Sequence, residues 1–337
     1  MGVKMQKFYI DIKVRNDVTY FYLFIRIFMN YIILDLEWNQ GPHKSGSSDL
    51  PTFEIIEIGA VKLNEQFQIV DSYQSLVKPQ LYNIMHKYTA EIVNLNMADL
   101  QDARCFPEVA AEFLDWCGKE YLFCIWGVQD LTEFQKNMDY YQMEPLSNGP
   151  MKYYDVQKLY SLACEDGKSR ASLSHVVEVE NMLEEEVPFH RAFGDAYYTA
   201  RIFQKIKNSN LLERISFDTY RVPMSKKEQI LWKFDNYTKF ISQGYEEKAE
   251  LMANKNISCI RCIFCEKALR KKIPWYTPNN GKHYYTVGKC SEHGFMKGKI
   301  RVRKTKDDKY YVVKTVKHVK EAEAQLIMSK KRKTEAL

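Results

Sequence analysis

Tyr31-Ile32-Ile33-Leu34-Asp35-Leu36-Glu37-Trp38 is the stretch on which the reading of this chain turns. Four apolar residues run into two acids that stand two positions apart. Successive side chains of a strand alternate faces, so Asp35 and Glu37 project together. The apolar run before them has the character of a strand buried on both sides, as in α/β sheets. Ionised acids at the end of such a strand are costly unless positive charge sits between them. A divalent cation meets that demand, because hard ions take carboxylate oxygens. The pair alone is a weak signal, and its weight depends on other acids that a sheet could bring to the same place.

Outward from this strand, 39–48 reads as a Gly/Ser-rich loop, a lip beside the carboxylates. Residues 53–63 read as a second strand and 66–77 as a third, giving an antiparallel meander. Glu54 and Glu57, the nearest competing acids, read as edge or solvent residues. Phe106, Val109, Ala110, Phe113, Leu114 and Cys117 fall on one side of a helix, with Pro107 in its first turn. Tyr121-Leu122-Phe123-Cys124-Ile125-Trp126-Gly127 is another buried strand, and Asp130 stands just beyond it. A helix begins at 131–138, for which Asp130 could equally be the N-cap. An acidic stretch at 182–188 leads into Phe189-His190-Arg191-Ala192-Phe193-Gly194-Asp195-Ala196, after which helical spacing continues to Ile206. A mobile imidazole at His190 and a fixed carboxylate at Asp195 would then approach one site from different directions.

This constellation resembles the DEDDh 3′–5′ exonucleases of the DnaQ-like, ribonuclease-H-like superfamily. Asp35 and Glu37 match the first motif, Asp130 the second, and His190 with Asp195 the third. His190-Arg191-Ala192-x-x-Asp195-Ala196 is the most specific piece, supported by Trp126-Gly127-x-x-Asp130, by Glu57-Ile58-Gly59-Ala60 and, loosely, by Thr89-Ala90-Glu91-Ile92. Within the superfamily the chain looks most like the KapD-type and histone-mRNA-processing branch, over about residues 30–207. The resemblance implies a ribonuclease-H-like mixed sheet flanked by helices. It also implies two Mg²⁺ or Mn²⁺ ions held by Asp35, Glu37, Asp130 and Asp195, with His190 as general base toward the attacking water. Asp35 would bridge the ions, Glu37 and Asp195 would complete the nucleophile side, and Asp130 would help hold the second. The implied substrate is single-stranded nucleic acid with a free 3′ end, RNA favoured over DNA. Trp38, directly after the acidic strand, is a candidate platform for the terminal base or else a core residue. A catalytically silent nucleic-acid adaptor and a polymerase proofreading subunit are the alternative functions.

Charge separates the two ends of the chain. From Lys255 onward 22 Lys and Arg face 7 Asp and Glu, a surplus of 15 in a chain of net charge +6, so the remainder carries −9. The basic end suits a polyanion, most simply nucleic acid. Cys262-x-x-Cys265 and Cys290-x-x-His293 have the spacing of two zinc knuckles, a structural tetrahedral site in which Cys259 could replace Cys262. Metal-ligand spacing in place of a disulfide framework points to a reducing compartment, the cytoplasm. Arg270, Lys271, Lys272, Lys282, Lys289, Lys297, Lys299, Arg301 and Arg303 decorate this region; interleaved aromatics make it a nucleic-acid grip, with a protein-docking module as the alternative.

The expected α/β architecture is therefore a front extension at 1–28, with Met29 as the natural start, and an exonuclease domain at 29–207. A helical connector at 208–256, a zinc-ribbon β domain at 257–318 and a basic tail at 319–337 follow. The apolar run 21–28 is interrupted by Arg26 and too short to span a bilayer, so no membrane association is expected.

Overall fold

A computed structural model describes residues 29–41, 50–184, 187–207, 210–278 and 282–335; the expected front extension and most of the lip loop lie outside them. The chain opens with β1 (Asn30–Gln40), β2 (Phe53–Leu63) and β3 (Ile69–Lys78). Then come α1 (Lys87–Val93), β4 (Arg104–Cys105), α2 (Phe106–Cys117), β5 (Tyr121–Ile125), α3 (Gln129–Tyr140) and β6 (Met151–Asp155). Three helices, α4 (Val156–Cys164), α5 (Leu173–Val179) and α6 (Ala192–Ile206), precede β7 (Ser216–Asp218). The seven strands form one mixed sheet in the order β4-β3-β2-β1-β5-β6-β7. Strands β1 to β3 are the expected antiparallel meander, and β5 and β6 add to β1 in parallel.

Strand β1 is central because it is apolar on both faces. Ile32, Leu34 and Leu36 pack with α2 and α3, while Tyr31 and Ile33 pack with α4, α5 and α6. By the two-residue period, Asp35 and Glu37 continue the second row, on the side of α6. A register shift between Glu37 and Trp38 breaks the regular pairing with β2 directly after the last acid, and the ladder resumes one residue out of step from Trp38 to Gln40; bulges of this kind re-aim side chains beside active sites.

The helix α6 reaches the sheet only because Gly59 has no side chain. Gly59 pairs with Asp35 across the ladder. A Cβ placed on it would lie 2.1 Å from backbone atoms of Ala192 and Phe193. The start of α6 therefore rests directly on β2, level with the acidic strand.

The stretch expected as a helical connector folds differently. Among the described residues it holds β7, a 3₁₀ turn at Lys226–Glu228, β8 (Ile230–Lys233), β9 (Tyr237–Ile241), α7 (Lys248–Ala253) and α8 (Lys255–Ser258). Ile230 and Trp232 share one face of β8, and Tyr237 and Ile241 one face of β9, a strand period that the apolar Leu231 and Phe240 on the other face disguise. Asp235 and Asn236 make the two-residue turn, closed by Phe234 N–H to the Tyr237 carbonyl (2.8 Å). The expected C-terminal β domain is present and takes this hairpin into its sheet. With β10 (Lys271–Tyr276), β11 (His283–Cys290), β12 (Gly294–Lys304) and β13 (Tyr310–Val319) the hairpin forms a six-stranded sheet, ordered β10-β11-β12-β13-β9-β8. The expected basic tail is largely a helix, α9 (Glu321–Glu335), whose Ala324 and Ile327 are buried against Val287, Phe295 and Val319.

The two sheets are joined through Asp139, which accepts from Tyr220 Oη and Lys306 Nζ (2.8 Å each) and pairs with Arg221. Thr219 meets Tyr311 Oη at 3.0 Å. No helix among the described residues is long and apolar enough to cross a membrane.

Replacing Gly59 by alanine is expected to destabilise the protein by about 3 kcal/mol, because the steric clash is with backbone and cannot be relieved by a rotamer. Urea unfolding reads this directly, and an unchanged midpoint would contradict the close approach of α6 to β2.

Candidate active site

Five side chains from three distant segments border one cleft of about 270 Å³: Asp35, Glu37, Asp130, His190 and Asp195. Carboxylate oxygens of Asp35, Glu37 and Asp195 all lie within 4.8 Å of one another. Asp130 is buried at the side of this trio rather than within it. It sits in the first turn of α3 behind an N-cap at Val128, so the capping role open in the sequence is not the one it takes. The backbone N–H groups of Asp130 itself and of Leu36 favour the charged form of its carboxyl.

His190 occupies the turn that precedes α6, with a left-handed φ of 58°. That conformation is uncommon outside glycine and marks a turn fixed by its surroundings. Its backbone N–H donates to Asp195 Oδ1 at 3.3 Å, while the imidazole is exposed at the mouth of the cleft. The turn thus fixes the carboxylate and frees the ring.

Electrostatics mark the site as one suited to a cation. Burial, then Asp130, Asp195 and Glu37 in turn, push the Asp35 carboxyl well above the carboxylate range. Glu37 is raised to about 8 by burial and by Asp195, Glu57 and Asp130. Asp130 is raised to about 7, chiefly by burial, against the opposing pull of those two N–H groups. Asp195 is raised by burial, with His190 opposing. Carboxylates this close ionise together only with compensating positive charge. An all-oxygen donor set suits a hard divalent cation.

Glu54 and Glu57, expected at an edge or in solvent, are both buried. Glu54 turns the chain after β3 by accepting the N–H groups of Leu81 (2.8 Å), Tyr82 (2.9 Å) and Gln80. Glu57 accepts a fork from Arg191, Nε at 2.9 Å and Nη2 at 2.8 Å, and is bonded by Gln74 Nε2 at 2.7 Å. This pair clamps the turn carrying His190 onto β2. Its partners are far apart in the sequence, and the only trace of it there was an acid standing in an otherwise apolar strand.

Trp38 is partly buried, its ring 5.5 Å from that of Phe53, and it also borders the cleft. Thr89 Oγ1 donates to its carbonyl (3.2 Å), so α1 is tied to the end of the acidic strand. Asn39, fully buried and absent from the sequence expectations, holds the same end by bonding the Ile84 carbonyl (2.9 Å) and the His86 N–H (2.8 Å).

A second cluster lies in the C-terminal sheet domain. Cys262, Cys265, Cys290 and His293 each bring a ligand atom within 4.8 Å of the others. Cys265 and Cys290 sulfurs are 3.7 Å apart, and Cys290 Sγ is 3.6 Å from His293 Nδ1. A tetrahedron of Zn–S bonds near 2.3 Å has edges of about 3.8 Å, so the set fits zinc. A backbone N–H at Glu292, aided by His293, draws the Cys290 thiol down to about 6, which favours the thiolate that zinc binds. Cys259 stands outside the set, with its thiol toward the Ile260 carbonyl (3.7 Å).

The exonuclease family model RNase_T matches residues 32–203. Among curated proteins none matches. Solved structures similar to the chain include the nuclease domain of 3′hExo, a DEDDh family member, bound to rAMP, at 20% identity and a TM-score of 0.45, covering 54% of this chain and 93% of that one. Cell-death related nuclease 4 (CRN-4) is similar at 21% identity and a TM-score of 0.43, over 53% of this chain and 64% of that one. Exonuclease I of E. coli in complex with a dT13 oligonucleotide follows at 10% identity and 0.41, over 63% and 55%.

All four acids have pKa values raised by folding, so in metal-free protein they contribute stability below about pH 4 that is lost as pH rises toward 8. Melting temperature in EDTA should fall over that window, and millimolar Mg²⁺ or Mn²⁺ should raise it most at the alkaline end. A metal-induced shift that is the same at both ends would contradict the charge argument.

Proposed function

The chain belongs to the RNase_T exonuclease family, and on that premise we propose that it is a DEDDh-type enzyme that removes nucleotides from the 3′ end of single-stranded nucleic acid, RNA in preference to DNA. The observation that supports this best is the convergence of Asp35, Glu37, Asp130, His190 and Asp195, drawn from three distant segments, on one cleft. Phosphodiester hydrolysis requires an activated water and neutralisation of charge at phosphorus. Asp35, Glu37 and Asp195 would hold one divalent ion and Asp130, with Asp35, a second. When bound, these ions supply the positive charge that stabilises the phosphorane-like transition state and makes water a competent nucleophile near neutral pH.

The protein's own groups do the rest. His190 receives the proton of the attacking water, a role that suits an exposed ring on a fixed turn. Glu57 and Arg191 keep that turn on the sheet. Trp38 borders the cleft with one side packed on Phe53, and offers its ring to the last base of an unpaired end. The Cys262, Cys265, Cys290 and His293 set holds one structural zinc, since four protein ligands leave no open position for chemistry.

A matched panel of labelled single-stranded RNA, single-stranded DNA and duplexes with recessed or overhanging ends tests the assignment. Asp35→Ala should lower turnover by roughly 10³-fold or more, the scale of a lost charge-stabilising group. His190→Ala should lower it by about 10²–10⁴-fold with metal binding retained. Full activity of the Asp35 variant, or loss of label from the 5′ end first, would overturn the assignment. Cys265→Ser should drop zinc content from one to none per chain and loosen substrate binding more than catalysis; an unchanged zinc stoichiometry would count against the tetrahedral site.

A further inference from the structure

Strand β12 has two unlike faces. Met296, Gly298 and Ile300 turn inward, where Ile260, Leu251, Ile257 and Trp275 pack on them. Lys297, Lys299, Arg301 and Arg303 occupy the other face, at intervals of about 6.7 Å set by the strand rise. Lys299 pairs with Thr315, and Thr315 with Lys239 of β9, so Lys239 joins the same face. At one end α9 covers this face, and Glu323 engages Lys297 at 2.9 Å. Past that contact Arg301 and Arg303 are exposed.

The open end of the face leads into a cleft of about 640 Å³ between the two sheet domains, where Arg301 and Arg303 meet Gly127, Val128, Asp155 and Arg170 of the exonuclease domain. This cleft and the catalytic one share a rim. Trp126 and Gln129 border the catalytic side, and Gly127 and Val128 between them border the other.

Cations are crowded here beyond what the local acids neutralise. Lys239 sits 5.5 Å from the Phe217 ring, and burial, Lys158 and then Arg303 bring its ammonium down to about 8, with Asp155 opposing. Lys158 is lowered as well, by burial and by Arg170 and Arg214. Mutual repulsion of this kind is relieved by an anion lying among the side chains. A flat face with regularly spaced cations, Tyr285 beside Lys299 (5.9 Å), and a rim leading to hydrolytic carboxylates fits a repeating phosphate chain better than an acidic peptide.

We propose that this face and cleft carry the sugar–phosphate backbone of the substrate strand upstream of its 3′ end, so that the strand lies along β12 and crosses the Trp126–Gln129 rim to reach the catalytic cleft. The proposal rests on the exonuclease reading above and adds the path of the strand to it.

Full-length protein and its Lys299→Ala/Arg301→Ala/Arg303→Ala variant would be compared on a trinucleotide and on a single strand of roughly thirty nucleotides. The preference for the long strand, as a ratio of kcat/KM values, should fall about tenfold, and the log–log salt slope of long-strand binding should flatten by about 2, near 0.7 for each phosphate no longer neutralised. An Arg301→Lys/Arg303→Lys variant should keep both. An unchanged ratio and slope, or an equal loss on the trinucleotide, would overturn the track. Ultraviolet crosslinking of the long strand to the Asp35→Ala protein gives a reading independent of the triple variant's folding. Crosslinks are expected between 283 and 303, and their confinement to other segments would reject the path. Face-dependent strand binding without cleavage by wild-type protein would remove the enzymatic reading and leave the track. Tight binding of polyglutamate at this face, undisplaced by the strand, would assign it to a protein partner and overturn the proposal.

Discussion

Contact between the backbone of α6 and the bare Cα of Gly59 is the constraint on which the rest of the site depends. A helix normally packs on a sheet through two layers of side chains, which would hold Asp195 well away from the acidic strand. Here the helix start touches β2 directly, beside the residue paired with Asp35. The Glu57–Arg191 fork secures the approach, because a buried carboxylate facing a guanidinium is strongly disfavoured once either partner is withdrawn. Gly194 follows the same logic on the other side of the helix, where a Cβ would lie 1.9 Å from the Pro188 carbonyl oxygen and push apart the turn bearing His190.

Catalytic capacity is bought with instability at the centre of the fold. Asp35, Glu37 and Asp195 crowd together at the end of an apolar strand, and Asp195 disfavours ionisation of both strand acids. The surrounding structure tolerates this because β1 is anchored on both faces by two separate apolar clusters, and because the end just past the acids is held by Asn39 and Thr89. The rigid strand keeps the acids in place, and the mobile group, His190, is mounted on a turn outside the sheet.

Much of this was legible in the sequence, for a physical reason. Each residue of the candidate site is announced by its own neighbourhood: Asp35 and Glu37 by an apolar strand, Asp130 by the strand before it, and His190 with Asp195 by the start of a helix. The helix at Phe106–Cys117 and the meander are likewise written in local periodicity. The Glu57–Arg191 clamp was illegible because its residues are remote and each looks solvated when considered by itself. The 230–241 hairpin reads as helical because Ile230, Leu231 and Phe234 stand at i, i+1 and i+4, which hides a pattern whose true period is two. Four ligand-type residues at knuckle spacing announced the cysteine cluster, but the sheet around it could not be inferred from them.

Strand β7 gives the border between the two halves an unexpected meaning. It lies beyond the last residues of the exonuclease pattern, yet it pairs with β6 and finishes the catalytic sheet. Directly after it, Thr219 meets Tyr311 and Arg303 of the second sheet, while Tyr220 and Arg221 turn back onto Asp139 of α3. A catalytic half excised at residue 207 would leave β6 as a bare edge, inviting association with the strands of other chains. The seven-stranded sheet therefore ends later in the chain than the matched family segment does, and the strand that seals its edge is the one that leads into the neighbouring sheet.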